Sequence, residues 1–155
     1  MDILSHGLWT NLVFKELPIE YRAWAIGFGV LPDFISFSFL ALKDSIKKTM
    51  HYKEQPLNIF PKYIFKLYNY THSLVLWLGA FFILKIFNFD FAAILFCGWG
   101  FHILLDIFTH TSSFFPTPIL WPFSNFHFSG INWANRWFMV FNYSVLSFLY
   151  LVFYF

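Results

Sequence analysis

Residues 97–110 read Cys97-Gly98-Trp99-Gly100-Phe101-His102-Ile103-Leu104-Leu105-Asp106-Ile107-Phe108-Thr109-His110. The run is apolar enough for a membrane, yet it carries His102, Asp106 and His110 at spacing i, i+4, i+8. Four helical residues advance about 400°, so each group stands about 40° round from the last. All three share one helix face, and neighbours in the series can reach a common point. A neutral imidazole and a carboxylate one turn apart make half of a metal site. An ionisable group inside a membrane helix is costly to keep, which makes it a candidate for function.

The surrounding chain fits a bilayer. Hydrophobic residues make up 59% of the 155 positions and charged residues 12%, against about 25% charged in soluble domains. The mean hydropathy is +0.60. A net charge of +2 is too small to argue for nucleic acid. Cys97 is the lone cysteine, which excludes an internal disulfide and any cysteine-based zinc site. The N-terminal residues lack a basic stretch and a small-residue cleavage site, so no signal peptide is expected. No repeat or domain boundary is visible, and residues 1–155 read as a single membrane-embedded domain.

Working outward, residues 3–14 and 23–31 are two apolar arms around the polar turn of Lys15, Glu16, Pro18, Glu20 and Arg22. Each arm is roughly 18 Å long at helical rise, too short to cross a core of about 30 Å upright. A short or re-entrant helical hairpin is expected, with Pro32 breaking the second arm and with His6 and Asp33 at one end. One continuous span over 23–42, kinked at Pro32, is the alternative. Residues 43–70 carry six lysines against Asp44 and Glu54. They read as a basic, water-exposed loop, cytoplasmic by the positive-inside rule, with Lys43, Lys47 and Lys48 placed to meet anionic headgroups. Thr71 is a candidate cap for the apolar segment 74–89. Segment 91–109 returns, 110–136 is an aromatic and Pro-rich loop, and 137–155 is an uncharged span. The expected fold is an all-α, polytopic helical bundle with the N-terminal hairpin and about three full spans.

This topology sends His6, Asp33, His72, His102 and Asp106 to one face, the cytoplasmic one. Seven Lys and Arg (the six loop lysines and Arg136) fall on that side, and Lys15, Arg22 and Lys85 on the other. Taken singly, each group has a plainer reading. His102 and Asp106 could be a buried hydrogen-bonded pair, Asp33 a helix cap, His72 an interfacial histidine and His6 a solvated one. His110 is open between metal ligand, supporting partner and interfacial residue. His51 and His127 fall in loops and are not expected to be ligands.

Five motifs occur in order: Ser5-His6-Gly7, Leu31-Pro32-Asp33, Thr71-His72-Ser73, His102-x-x-x-Asp106 followed by Thr109, and Pro118-Ile119-Leu120-Trp121-Pro122-Phe123. In this the chain resembles the LexA-regulated, membrane-bound, metal-dependent hydrolase family of bacterial and archaeal inner membranes. More distantly, it is similar to zinc-dependent phospholipase C enzymes. The resemblance implies that His6, Asp33, His72, His102 and Asp106 are metal ligands. Leu67 and Tyr68 stand where many members carry His-Arg.

Three His and two Asp without a thiolate suit Zn²⁺, and also Mn²⁺, Fe²⁺ or Co²⁺. One or two ions are expected. The leading expectation is hydrolysis of a phosphoester, a lipid or a small molecule, by metal-activated water. One of Asp33 and Asp106 would bridge ions and the other would act as general base. Membrane lipids are the expected surroundings. Two further readings use the same residues: a metal-ion or proton transporter, and a non-catalytic membrane protein with a structural metal site.

Overall fold

The computed structural model describes residues 1–43 and 60–155, with the side chains of 39–43 left aside. The described residues form six helices: α1 (Ile3–Val13), α2 (Ile19–Lys43), α3 (Lys62–Thr71), α4 (Leu74–Ile86), α5 (Asp90–Thr109) and α6 (Arg136–Tyr154). Among them, α5 and α6 are long and apolar enough to cross a membrane. Helices α3 and α4 pass the same test only as a pair, bent by 46° at the break between them. The described residues therefore hold two candidate spans, or three with the bent pair, where about three full spans were expected.

Helix α1 is built inside out. Its buried residues are Ser5, His6, Thr10 and Leu12, while Ile3, Leu4 and Val13 are exposed. In a bilayer that arrangement is favourable, because apolar side chains cost nothing against lipid and polar ones find partners inside. Asp2 caps the helix, accepting from the Ser5 amide at 3.0 Å and the Ser5 hydroxyl at 2.7 Å. Polar bonds fasten α1 to α6. The Trp9 indole donates to Asn142 Oδ1 at 2.9 Å, and the Asn142 amide donates to Ser5 Oγ at 2.8 Å. Further along, the Tyr150 hydroxyl donates to the Leu8 carbonyl at 3.1 Å and accepts from Asn11 at 2.7 Å.

The expected break at Pro32 does not occur. Helix α2 is continuous through it, as the alternative reading of one segment over 23–42 had it, although α2 is not among the candidate spans of the described residues. A proline removes one backbone bond and crowds one carbonyl, a local cost that packing on both sides offsets. Helix α2 pairs with α1, α3 and α5. The hairpin survives only as the antiparallel pairing of α1 with the first half of α2. The approach to α5 is close: a Cβ on Gly98 would collide with the Ala25 carbonyl oxygen. Small residues at a crossing let two backbones meet, as membrane helix pairs require.

The expected basic loop is also revised. Its last third is the amphipathic helix α3, which buries Ile64, Tyr68 and Thr71 and leaves Lys62 and Lys66 outward. Residues 44–59 lie outside the described residues, and with them His51 and the headgroup contact assigned to Lys47 and Lys48. Thr71 is not a cap. Ser73 is the N-cap of α4, accepting from the Leu76 amide at 3.2 Å, and its hydroxyl donates to the Trp121 carbonyl at 2.5 Å. Phe60, Ile64, Tyr68 and Phe115 form an apolar cluster over this end of the bundle. The 110–135 segment is pinned beneath it. Gly130 donates to the His110 carbonyl at 2.8 Å and Ile131 to that of Phe108 at 2.9 Å.

Candidate metal centre

Three helices and one interhelical break deliver polar side chains to one buried point. His6 comes from the first turn of α1, Asp33 from the middle of α2, His72 from the α3–α4 break, and His102 and Asp106 from α5. The His102 and Asp106 side chains follow the i, i+4 geometry read from the sequence, with Nε2 and Oδ2 3.3 Å apart. His6, His72, His102 and Asp106 are wholly buried, and Asp33 keeps 12% of its side-chain exposure.

Asp106 is the hub. Its Oδ2 faces His72 Nε2 at 3.4 Å and His102 Nε2 at 3.3 Å. Its Oδ1 faces His6 Nε2 at 3.0 Å and His110 Nε2 at 3.3 Å. Asp33 repeats this division more loosely. Its Oδ1 stands 3.5 Å from His72 Nε2 and 3.8 Å from His102 Nε2, while Oδ2 stands 4.0 Å from His6 Nε2. The Met1 ammonium contacts Asp106 Oδ1 and lies 3.0 Å from His110 Nε2.

Backbone carbonyls fix the direction of three imidazoles. His102 Nδ1 lies 2.7 Å from the Gly29 carbonyl, His110 Nδ1 2.8 Å from that of Phe115, and His72 Nδ1 3.2 Å from that of Tyr68. A carbonyl only accepts, so each Nδ1 carries the proton, and in the neutral ring Nε2 is a bare lone pair. Metal-binding histidines are oriented in this way. The consequence is acute at His72 and His102, whose Nε2 atoms face each other at 3.1 Å. Two lone pairs at that distance repel, and only positive charge between them, a metal ion or a proton, turns the contact favourable. Asp106 Oδ2, beside them, has no hydrogen-bond partner among the described residues. A buried carboxylate oxygen left unpaired is expensive. One ligand atom each from Asp33, His72, His102 and Asp106 lies within 4.8 Å of the others. This two-nitrogen, two-oxygen set could hold a divalent ion.

All five residues expected at the centre meet there. The tight group of four omits His6, which approaches Asp106 from the opposite oxygen and stacks its ring on that of His102 at 3.7 Å between centroids. His110 joins the same side. His127 sits exposed in the loop, bonded to the Asn125 carbonyl, away from the centre. Three contributors escaped the sequence reading. Tyr68 stacks on His72 at 3.8 Å and its hydroxyl donates to the Phe115 carbonyl at 3.0 Å. Thr71 Oγ1 lies 2.8 Å from His72 Nδ1. The Gly29 carbonyl orients His102. The i, i+4 spacing of Tyr68 and His72 across the end of α3 was a legible signal for the first, whereas a backbone carbonyl leaves none.

No curated protein and no solved structure matches the chain. The geometry instead finds its context in a family model: residues 1–155, the whole chain, match the family described as YdjM inner membrane protein. With apolar helices long enough to span and a polar centre folded inward between them, the chain belongs to this family of membrane proteins.

Proposed function

We propose that this protein is a membrane-embedded, metal-dependent hydrolase acting on a phosphoester, a lipid or a small molecule, at the cytoplasmic side of a multi-pass, single-domain chain. The observation that carries the reading is the face-to-face pair of His72 and His102 Nε2 atoms beside the unpartnered Asp106 Oδ2. The donor set is nitrogen and carboxylate oxygen without sulfur. It suits Zn²⁺ foremost, with Mn²⁺, Fe²⁺ or Co²⁺ as alternatives. A bound divalent ion of this kind brings the pKa of its water from about 15.7 to about 7 and so supplies hydroxide at neutral pH.

The chain's residues divide the remaining work. His72, His102 and Asp106 are sealed from solvent and would hold the ion. Asp33 keeps the exposure the others lack, so water and substrate would approach on its side, and its carboxylate would take the proton of the attacking water. His6 and His110 face the second oxygen of Asp106, which the Met1 ammonium also contacts; these residues would hold a second ion there if the ammonium withdrew. The cytoplasmic orientation draws on the positive-inside rule: Lys62, Lys66 and Arg136 lie toward the centre's end, and Lys15, Arg22 and Lys85 toward the other.

The test is elemental analysis of detergent-purified protein, wild type beside a His102→Ala, Asp106→Ala double variant. At least one equivalent of a transition metal is expected in the wild type and its loss in the double variant. Equal metal content in both would refute the assignment.

A further inference from the structure

The loop between α5 and α6 has a second face that the metal centre does not use. Between Asp106 and Arg136 the chain has no Asp, Glu, Lys or Arg. Within that uncharged run Leu120, Phe123, Phe126, Phe128 and Ile131 are exposed, Phe123 at 84%. Apolar side chains gathered so densely are rare on surfaces that meet water.

This segment is held, not loose. Phe123 and Ser124 donate to the Leu120 carbonyl at 2.9 and 3.1 Å, closing a turn. The Trp121 carbonyl accepts from Ser73, and the Trp121 ring meets Tyr70 edge-on at 4.6 Å. Gly130 and Ile131 are bonded back to the end of α5. The exposed rings are therefore presented by a fixed backbone.

What covers them follows from where the loop begins and ends. It joins α5 to α6, the two helices that are long and apolar enough to cross a membrane, so both of its ends stand at the membrane boundary. Tryptophan, as at Trp121, favours that boundary, and Phe and Leu side chains bury into its acyl side. A loop bound for the aqueous phase would carry charge, as the Lys15–Arg22 turn at the other end of the bundle does. We infer that Leu120–Ile131 is embedded in the headgroup–acyl boundary of the bilayer, where it holds the metal-centre end of the bundle against the lipid surface. The inference does not depend on the metal chemistry and would stand if the centre proved empty.

The test places a single cysteine at Phe123→Cys or Phe126→Cys in a Cys97→Ser background, carrying an environment-sensitive nitrobenzoxadiazole label. The full chain is reconstituted in phosphatidylethanolamine–phosphatidylglycerol vesicles. Glu16→Cys serves as the aqueous reference and Phe148→Cys, on the exposed face of α6, as the lipid reference. Both loop labels are expected to emit to the blue of the Glu16→Cys label, and to be quenched more by doxyl-labelled phospholipid than by aqueous iodide. Quenching by iodide to the Glu16→Cys level would overturn the inference. Protection from both quenchers would overturn it too, because protein rather than lipid would then cover the loop. Two positions, each already exposed, guard against a variant that fails to fold.

Discussion

Replacing Thr71 with valine removes one hydroxyl from behind the candidate metal centre and almost no volume. Thr71 Oγ1 lies 2.8 Å from His72 Nδ1 and donates its own proton to the Leu67 carbonyl at 3.0 Å. The proton on Nδ1 therefore has two acceptors, this hydroxyl and the Tyr68 carbonyl at 3.2 Å. Valine takes away the shorter contact and leaves the longer one. Loss of a group that orients a metal-bound histidine costs about 10–100-fold in affinity. Because the Tyr68 carbonyl and the stacked Tyr68 ring still hold the imidazole, the lower end applies: about tenfold, or near 1.4 kcal/mol. Ser36 also loses a neighbour, but keeps its bond to the Pro32 carbonyl at 2.8 Å, so the fold should change little. The assay is competition of purified protein with a chromophoric chelator for Zn²⁺, beside circular-dichroism melts. Thr71→Ser should restore wild-type affinity. Unchanged affinity in Thr71→Val with an unchanged melt would refute the assignment of His72 as a ligand oriented through Nδ1.

Other perturbations probe the framework. Gly98→Ala places a methyl against the Ala25 carbonyl, and overpacking of this kind costs about 1–3 kcal/mol. A lower midpoint in thermal unfolding in detergent would show it, and zinc affinity should fall as well, because His102 is oriented by the Gly29 carbonyl across the same crossing. Asn142→Leu deletes the two bonds to Trp9 and Ser5. At about 0.6 kcal/mol for each interhelical bond in a membrane protein, unfolding by denaturing detergent should register a loss of about 1 kcal/mol with metal content unchanged. His127→Ala, in the exposed part of the loop, should alter neither metal content nor the melt, and a loss of metal would place the centre wrongly.

The sequence carried the centre better than it carried the path of the chain. His102, Asp106 and His110 were legible because helix periodicity alone puts them on one face. His6, Asp33 and His72 followed once the apolar segments were laid end to end. Pro32 misled because the rule for proline concerns a helix on its own. Within this bundle α1, α3 and α5 pack along α2, and one missing bond does not end it. Residues 62–71 read as loop because Lys62 and Lys66 dominate the composition, while the buried stripe of Ile64, Tyr68 and Thr71 is only ten residues long and easily lost beside them. Thr71 and Ser73 are both good capping residues, and the choice between them depends on where the 46° break falls. The carbonyls of Gly29, Tyr68 and Phe115, which aim three imidazoles, belong to no side chain and so leave no trace in a sequence.

The way Asp106 shares its two oxygens among four imidazoles has a consequence for charge balance. Asp33 and Asp106 bring two negative charges into a cavity whose imidazoles, when neutral, bring none, and the Met1 ammonium offsets one of them. A cation at the centre offsets the remainder, and a bilayer interior heavily penalises leaving it uncompensated. If the centre takes a metal as proposed, metal loading and completion of the fold become one equilibrium. A chain inserted while metal is scarce would hold its helices apart, or recruit protons in place of the ion, until a cation arrived. On the proposed reading, the supply of metal sets how much finished protein the membrane contains, before any question of catalysis arises.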